Sequence, residues 1–265
     1  MNVKQLFDLS GKVVIITGAA GNLGSRYADG LSQFGANVVL ADIDYIKCKQ
    51  MAKKIKEKYL TDPEPIKLDL TKKKSISNVV SKVLKKYSKI DVLINNAAYQ
   101  GNDKIRKTSF ENLSLDDWNK SISVNLTGVF LMCQQVGKIM KKQKQGNIIN
   151  IGSTYGLVAP DQRIYGDSGQ NAAAFYSASK GGVINLTRYL ASYWNRTGIR
   201  VNTLTPGGVG NNQKSNFIKK YSNKTMLGRM AKKDEYVAAI LFLSSDASSY
   251  MTGSNLIIDG GWTAW

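Results

Sequence analysis

Lys12 to Thr17 is a short run rich in β-branched residues, and it ends directly in Gly18-Ala19-Ala20-Gly21-Asn22-Leu23-Gly24. From Arg26 to Phe34 apolar residues recur at helical spacing, and Gly35 suits the turn that closes such a helix. Asn37 to Ala41 reads as a second buried strand, with Asp42 at its end. Strand, glycine turn, helix, strand and terminal acid, in that order, constrain the fold more than any other stretch. This is the frame of a dinucleotide-binding fingerprint: glycines let the backbone approach a pyrophosphate, and a helix N-terminus meets its charge. Gly18, Gly21, Asn22, Leu23 and Gly24 are therefore expected to hold the phosphates. Asp42 is expected to accept hydrogen bonds from the adenosine ribose hydroxyls. A carboxylate can also cap a helix, but Asp44 is available for that. An acid at Asp42 repels a 2′-phosphate, which favours NAD over NADP.

The alternation continues without a break in composition. A Lys-rich helix (Asp44 to Lys58) leads to a strand near Ile66 to Leu68, and a second helix (Lys72 to Tyr87) leads to Asp91 to Ile94. A long helical region, Leu115 to Lys141, precedes the strand Asn147 to Ile151. A helix from Tyr176 to about Trp194, a strand Arg200 to Leu204, a variable stretch, a helix Lys233 to Ser244 and a strand Asn255 to Asp259 complete the chain. Strands alternating with helices imply a parallel sheet with right-handed crossovers. With no repeat, linker or low-complexity tract, residues 1–265 read as one doubly wound Rossmann-type α/β domain.

Composition removes several alternatives. There is no histidine, which excludes most zinc and histidine-base chemistry, and no metal site is expected. Two cysteines, Cys48 and Cys133, are too few for a disulfide framework. No apolar run is long enough to span a bilayer, and Met1 to Lys12 lacks the features of a secretory signal, so the expected setting is the cytoplasm. The formal charge of +18 invites an anionic partner. The lysines, however, recur through surface-type helices without aromatic interleaving, so a solvated face is the reading adopted, with neither nucleic acid nor membrane as partner.

Tyr176-Ser177-Ala178-Ser179-Lys180 supplies candidate chemistry. Residues four apart leave the same face of a helix. An ammonium beside a phenol favours the phenolate, so Lys180 is expected to lower the pKa of Tyr176. The pair could then exchange a proton with an alcohol or carbonyl oxygen at neutral pH. Ser153 follows the strand Asn147 to Ile151, at the end of the sheet where such folds place ligands.

These residues resemble the short-chain dehydrogenase/reductase family over nearly the whole chain. Thr17 to Gly24 is similar to the family's T-G-x-x-x-G-x-G turn, and Asn95-Asn96-Ala97-Ala98 to its N-N-A-G. Asn125, Ser153, Tyr176 and Lys180 match its catalytic tetrad in order, and Pro206-Gly207 its P-G turn. The resemblance implies an oxidoreductase that moves a hydride between NAD(H) and a secondary alcohol or ketone. In it, Ser153 holds the carbonyl oxygen and Tyr176 moves the proton. Lys180 also binds the nicotinamide ribose, and Asn125 holds a water in a proton relay. Asp69 with Leu70 would recognise adenine, although Asp69 could equally cap the helix near Lys72. Asn96 would contact backbone and ribose, and Pro206, Gly207 and Val209 would contact the coenzyme. Three departures stand out. Asn22 replaces the middle glycine, Ala98 the last glycine of N-N-A-G, and Asn211 a frequent Thr. Asn22 is expected to keep the turn by tolerating left-handed backbone angles.

The stretch between Ser153 and Tyr176 is longer than the family's usual spacing and is polar from Pro160 to Asn171. Gln162, Arg163 and Tyr165 are expected to contact substrate. Their chemistry suits a sugar, sugar acid or sugar phosphate, as in members similar to gluconate 5-dehydrogenase and flagellin-modification enzymes. A rival reading is 3-oxoacyl-acyl-carrier-protein reductase, and another is a non-catalytic basic scaffold that binds a partner. A homotetramer or homodimer is expected from the resemblance, with the last helix and the tail Gly260 to Trp265 as contact surfaces.

Overall fold

In the computed structural model, which describes residues 2–265, seven strands form one parallel sheet. They are β1 (Val13–Thr17), β2 (Asn37–Asp42), β3 (Glu64–Lys67), β4 (Val92–Asn95), β5 (Gly146–Ile151), β6 (Ile199–Pro206) and β7 (Asn255–Ile258). Their order across the sheet is β3-β2-β1-β4-β5-β6-β7. Helices α1 (Asn22–Gln33), α2 (Tyr45–Lys58), α3 (Lys73–Tyr87), α4 (Asp103–Arg106) and α5 (Leu115–Ile122) lie in the first half. α6 (Gly128–Gln143), α7 (Ala174–Tyr193), α8 (Ser215–Ser222) and α9 (Val237–Ser244) follow.

Period-two alternation sends β1 to two cores. Val14 and Ile16 pack with Tyr27, Leu31, Cys48, Ile55 and Ile240 on the side of α1, α2 and α9. Val13 and Ile15 pack with Ile76, Val83, Met132, Val136 and Val183 on the side of α3, α6 and α7. A sheet covered on both faces explains why its central strands read as unbroken apolar runs. The strand order reverses between β1 and β4, which opens a crevice at the C-terminal ends of the strands.

The structure adds detail that periodicity had not indicated. α1 starts at Asn22, not near Arg26, because Gly21 serves as its N-cap and the helix grows straight out of the glycine turn. The long helical region is interrupted at its centre by a π-helical turn, Ser123–Thr127. The stretch read as variable after β6 contains α8. Among the described residues, no helix is long and apolar enough to cross a membrane.

A buried polar ladder fixes α7 over the sheet. Asn95 Nδ2 donates to Asn150 Oδ1 at 2.8 Å, and Asn150 Nδ2 donates to Thr187 Oγ1 at 2.9 Å. Thr203 Oγ1 donates to the same Thr187 oxygen at 2.9 Å, and Asn150 and Thr203 are both fully buried. Replacing Asn150 by Leu strips partners from Asn95 and Thr187 while nearly keeping volume. The expected loss is about 2–4 kcal/mol of unfolding free energy, read from urea titration. An unchanged midpoint would show that the ladder adds no net stability.

Candidate active site

α7 carries Tyr176 in its first turn and Lys180 one turn later. The Lys180 side chain is buried, and its Nζ donates to the Ile151 carbonyl at the end of β5 over 2.6 Å. Lys180 Nζ also lies 5.7 Å from the centre of the Tyr176 ring. Two residues beyond Ile151, Ser153 has extended backbone angles and starts a short 3-10 turn, with its Oγ accepting from Tyr155 N at 3.2 Å. Ser153 and Gln100 both engage the Tyr176 hydroxyl, Gln100 from 3.5 Å.

Electrostatics differ from the sequence expectation. Burial raises the Tyr176 phenol above its ordinary value of 10.0, against the opposing pull of Ser153 and Gln100. Lys180 does not bring it down; desolvation instead lowers the ammonium itself to about 8. The physical reason is that both groups lose water together, so each is pushed toward its neutral form. Tyr176 still reaches the cleft, with part of its surface exposed.

Asn125 sits in the π turn, where the widened helix carries it inward to full burial. Its Oδ1 accepts from Tyr99 N at 2.6 Å, and its Nδ2 donates to Tyr99 O at 2.9 Å. Further bonds reach Ser121 Oγ at 3.1 Å and Ser179 Oγ at 3.3 Å. Asn125 does not line the cleft; it braces the segment after β4 against α7, two elements that do.

The cleft has a volume of about 1440 Å³ and runs across the β1/β4 switch point. Gly18, Gly21, Asn22, Leu23, Asp42, Asp69, Leu70, Asn96, Ser153, Tyr176, Lys180, Pro206, Gly207 and Val209 all line it. Gly18 has φ +65, and a Cβ there would come within 2.7 Å of Ala97 Cα. Gly24 lies behind the wall, where a Cβ would collide with the Gly18 carbonyl oxygen. Asn96 Nδ2 clamps this turn by donating to Thr17 O at 3.1 Å and Gly18 O at 3.0 Å. Asn22 is already helical, so its tolerance of left-handed angles is not used. Asp42 accepts from Ala20 N at 2.9 Å and Asp44 N at 3.0 Å, which holds its carboxylate at the tip of β2. Asp44 caps α2 by accepting from Lys47 N at 3.0 Å. Asp69 accepts from Thr71 Oγ1 at 2.6 Å, which lowers its pKa.

These residues fit a dinucleotide. α1 begins with no side chain capping it, and its N-cap Gly21 and first two residues, Asn22 and Leu23, line the cleft. Such amides, with the positive end of the helix dipole, suit a pyrophosphate. A carboxylate at the end of β2 suits two ribose hydroxyls.

Of the three expected substrate contacts, Tyr165 lines the cleft, while Gln162 and Arg163 do not. Arg163 is drawn outward to Asp161, with Nε–Oδ1 of 2.8 Å. Gln162 exchanges hydrogen bonds with the backbone of Ala172 at 2.9 and 3.3 Å, closing the loop on itself. Residues not anticipated take their place. Tyr155, Phe217 and Tyr221 line the cleft beside Tyr165, and Trp262 stacks on Tyr221 at 4.3 Å between ring centres. Trp262, in the tail read as a contact surface, is thus buried within the chain. Scattered aromatics carry no local signal, so only the fold reveals their cluster.

Three comparisons bear on the site. The profile of a family described as "Enoyl-(Acyl carrier protein) reductase" matches residues 18–263. The 3-oxoacyl-[acyl-carrier-protein] reductase FabG of Thermotoga maritima is 37% identical over 257 residues, covering 96% of this chain and 98% of that protein. The NAD-dependent glycerol dehydrogenase of Listeria innocua is 34% identical, covering 97% of this chain and 96% of that protein. A solved gluconate 5-dehydrogenase from Burkholderia cenocepacia, in complex with NADP and tartrate, superposes with a TM-score of 0.89. It is 28% identical, and 100% of each chain is covered.

The depressed Lys180 couples stability to pH. Between about 8 and the ordinary 10.5, the unfolded chain binds this proton and the folded, coenzyme-free protein does not. Stability contributed through Lys180 therefore rises across that window and is lost as pH falls through about 8. Urea unfolding at pH 7 and pH 10 should show the parent gaining about 2–3 kcal/mol relative to Lys180→Met. Identical pH slopes would contradict the desolvation of Lys180.

Proposed function

Starting from a chain that belongs to the short-chain dehydrogenase/reductase family, and so is an NAD(P)-dependent oxidoreductase of alcohol or ketone groups, we propose that it uses NAD(H) on a small hydroxylated substrate. The substrate class is a sugar, sugar acid or sugar phosphate. The observation that carries the coenzyme choice is Asp42, fixed by two backbone amides at the tip of β2. A carboxylate so held accepts from ribose hydroxyls and repels a 2′-phosphate. The substrate reading rests on Gln100, Ser168, Gln170 and Asn171, polar side chains that line the cleft together with Tyr176.

Bound in the cleft, the coenzyme supplies the hydride acceptor or donor. The chain's own groups do the rest. Ser153 donates to the reacting oxygen and holds it toward the Tyr176 hydroxyl. In oxidation Tyr176 would act as the phenolate, ionised toward solvent once positive charge enters the cleft, and take the proton from that oxygen; in reduction the protonated phenol gives it back. Ser153 and Gln100, which both pull the phenol's pKa down, stabilise negative charge as it develops there, and Lys180 would face the nicotinamide ribose. The helix-bound Tyr176 and the strand-end Ser153 meet the substrate in a fixed geometry, and alignment of this kind lowers the barrier. A homo-oligomer is part of the same proposal, with the exposed end of the tail at Trp265, not the largely buried last helix, left to meet a second copy.

A second reading is favoured by the Thermotoga maritima relative and by the +18 charge, which suits an acidic carrier protein. On that reading the substrate is a 3-oxoacyl thioester. Asp42 and the polar wall beside Tyr176 argue against it. Absorbance at the nicotinamide band, with NAD and NADP across polyols, sugar acids, sugar phosphates and acyl thioesters, separates the two. The proposal expects NAD to be preferred by about tenfold or more, and Asp42→Ser to narrow that preference. A parent enzyme that prefers NADP, or acts on thioesters alone, would overturn it.

A further inference from the structure

Arg106, in the last turn of α4, is partly buried and lines the cleft. The other partly buried arginines are committed. Arg26 pairs with Asp234 at 3.2 Å, and Arg200 donates to the Met251 carbonyl at 3.0 Å. Arg106 has no side-chain hydrogen bond or ion pair among the described residues. Its place on the substrate side follows from packing: its neighbour Ile105 is buried in a cluster with Phe175, Tyr99 and Tyr176. Two more cations line the same wall. Lys107 follows Arg106 in the chain, and Lys120 sits 4.9 Å from the centre of the Tyr99 ring. The facing carboxylates are Asp103, which accepts from Gln170 Nε2 at 3.0 Å, and Asp167, which is exposed.

The insertion between Ser153 and Tyr176 holds this wall in place. Asn171 N donates to the Arg106 carbonyl at 2.7 Å, and Asn171 Nδ2 donates to Thr108 O at 2.8 Å. The backbone of Arg106 is therefore pinned by the loop that closes the cleft, while its guanidinium keeps all its donors for a ligand. A guanidinium that lines the cleft with its donors unengaged presents a fork that matches a carboxylate or phosphate.

From this geometry we infer that Arg106 is the centre of an anion subsite, so that the substrate carries a carboxylate or phosphate beyond its reacting carbon. The inference rests on the oxidoreductase reading above and narrows its substrate to acidic sugars. Lys107 and Lys120 supply long-range attraction; Arg106 supplies the directed pair of hydrogen bonds. Neutral polyols with the same carbon chain lack that contact.

D-gluconate and D-sorbitol test this, because they share a carbon chain that ends in a carboxylate or in a CH2OH. Calorimetric titration of each into enzyme saturated with NADH reads binding without turnover. The parent should bind gluconate about tenfold or more tightly than sorbitol. In Arg106→Gln that ratio should fall to near one, and Arg106→Lys should retain part of it. A parent that binds both alike, or neither, overturns the subsite. Equal loss of both ligands in Arg106→Gln and Arg106→Lys makes Arg106 structural and overturns it too. Turnover with NAD is measured separately: gluconate that binds selectively but is never oxidised would strike the substrate reading and leave the subsite standing.

Discussion

The hydrogen bond from Lys180 Nζ to the carbonyl of Ile151 is the contact on which the site depends. Ile151 closes β5, and Ser153 stands two residues on; Tyr176 precedes Lys180 by one turn of α7. One bond between a helix and a strand end thus sets the separation of the two groups that meet the substrate oxygen. The ammonium is held at the cost of its hydration, which brings its pKa to about 8 and into the range where protons move at neutral pH. Burial of the same region raises the phenol. In the coenzyme-free protein the pair is poised with the phenol protonated, and a positive charge brought into the cleft would draw it toward ionisation.

Two asparagines make the walls rigid around that pair. Asn96 ties the glycine turn to the end of β4, so the backbone that faces a pyrophosphate is fixed to the centre of the sheet. Asn125 bonds both backbone groups of Tyr99 and reaches Ser179 on α7. Asn96 spends its primary amide on carbonyls at the end of β1 and the start of the glycine turn, and Asn125 on the backbone of Tyr99, where unpaired groups would otherwise be left. The coenzyme side and the chemical side of the cleft are therefore braced separately. Asp42 plays a similar double part, since its carboxylate both secures Ala20 and stays open to the cleft.

Much of this was legible in the chain because the signals are local. A strand, a glycine turn and a helix leave their marks within a few residues, and Asp42 follows at a distance the β–α–β unit dictates. Tyr176 and Lys180 share a helix face, so spacing alone brings them together. The parts that escaped depend on contacts distant in sequence. Gln162 and Arg163 looked free because nothing in the string says that Asp161 and the Ala172 backbone would take them. The cluster of Tyr155, Tyr165, Tyr221 and Trp262 joins four separate segments, and α8 and the tail approach the cleft only after the sheet is complete. The pKa of Tyr176 was misjudged because neighbouring charge is visible in a sequence and desolvation is not.

The most direct test is the single-turnover rate of nicotinamide reduction in Tyr176→Phe, with coenzyme affinity followed by NADH fluorescence. Phenylalanine keeps the ring and removes only the oxygen that exchanges the proton. The account predicts that NADH binds as in the parent while the rate falls by about 10²–10⁴-fold. A variant that binds NADH and transfers hydride as fast as the parent would contradict it.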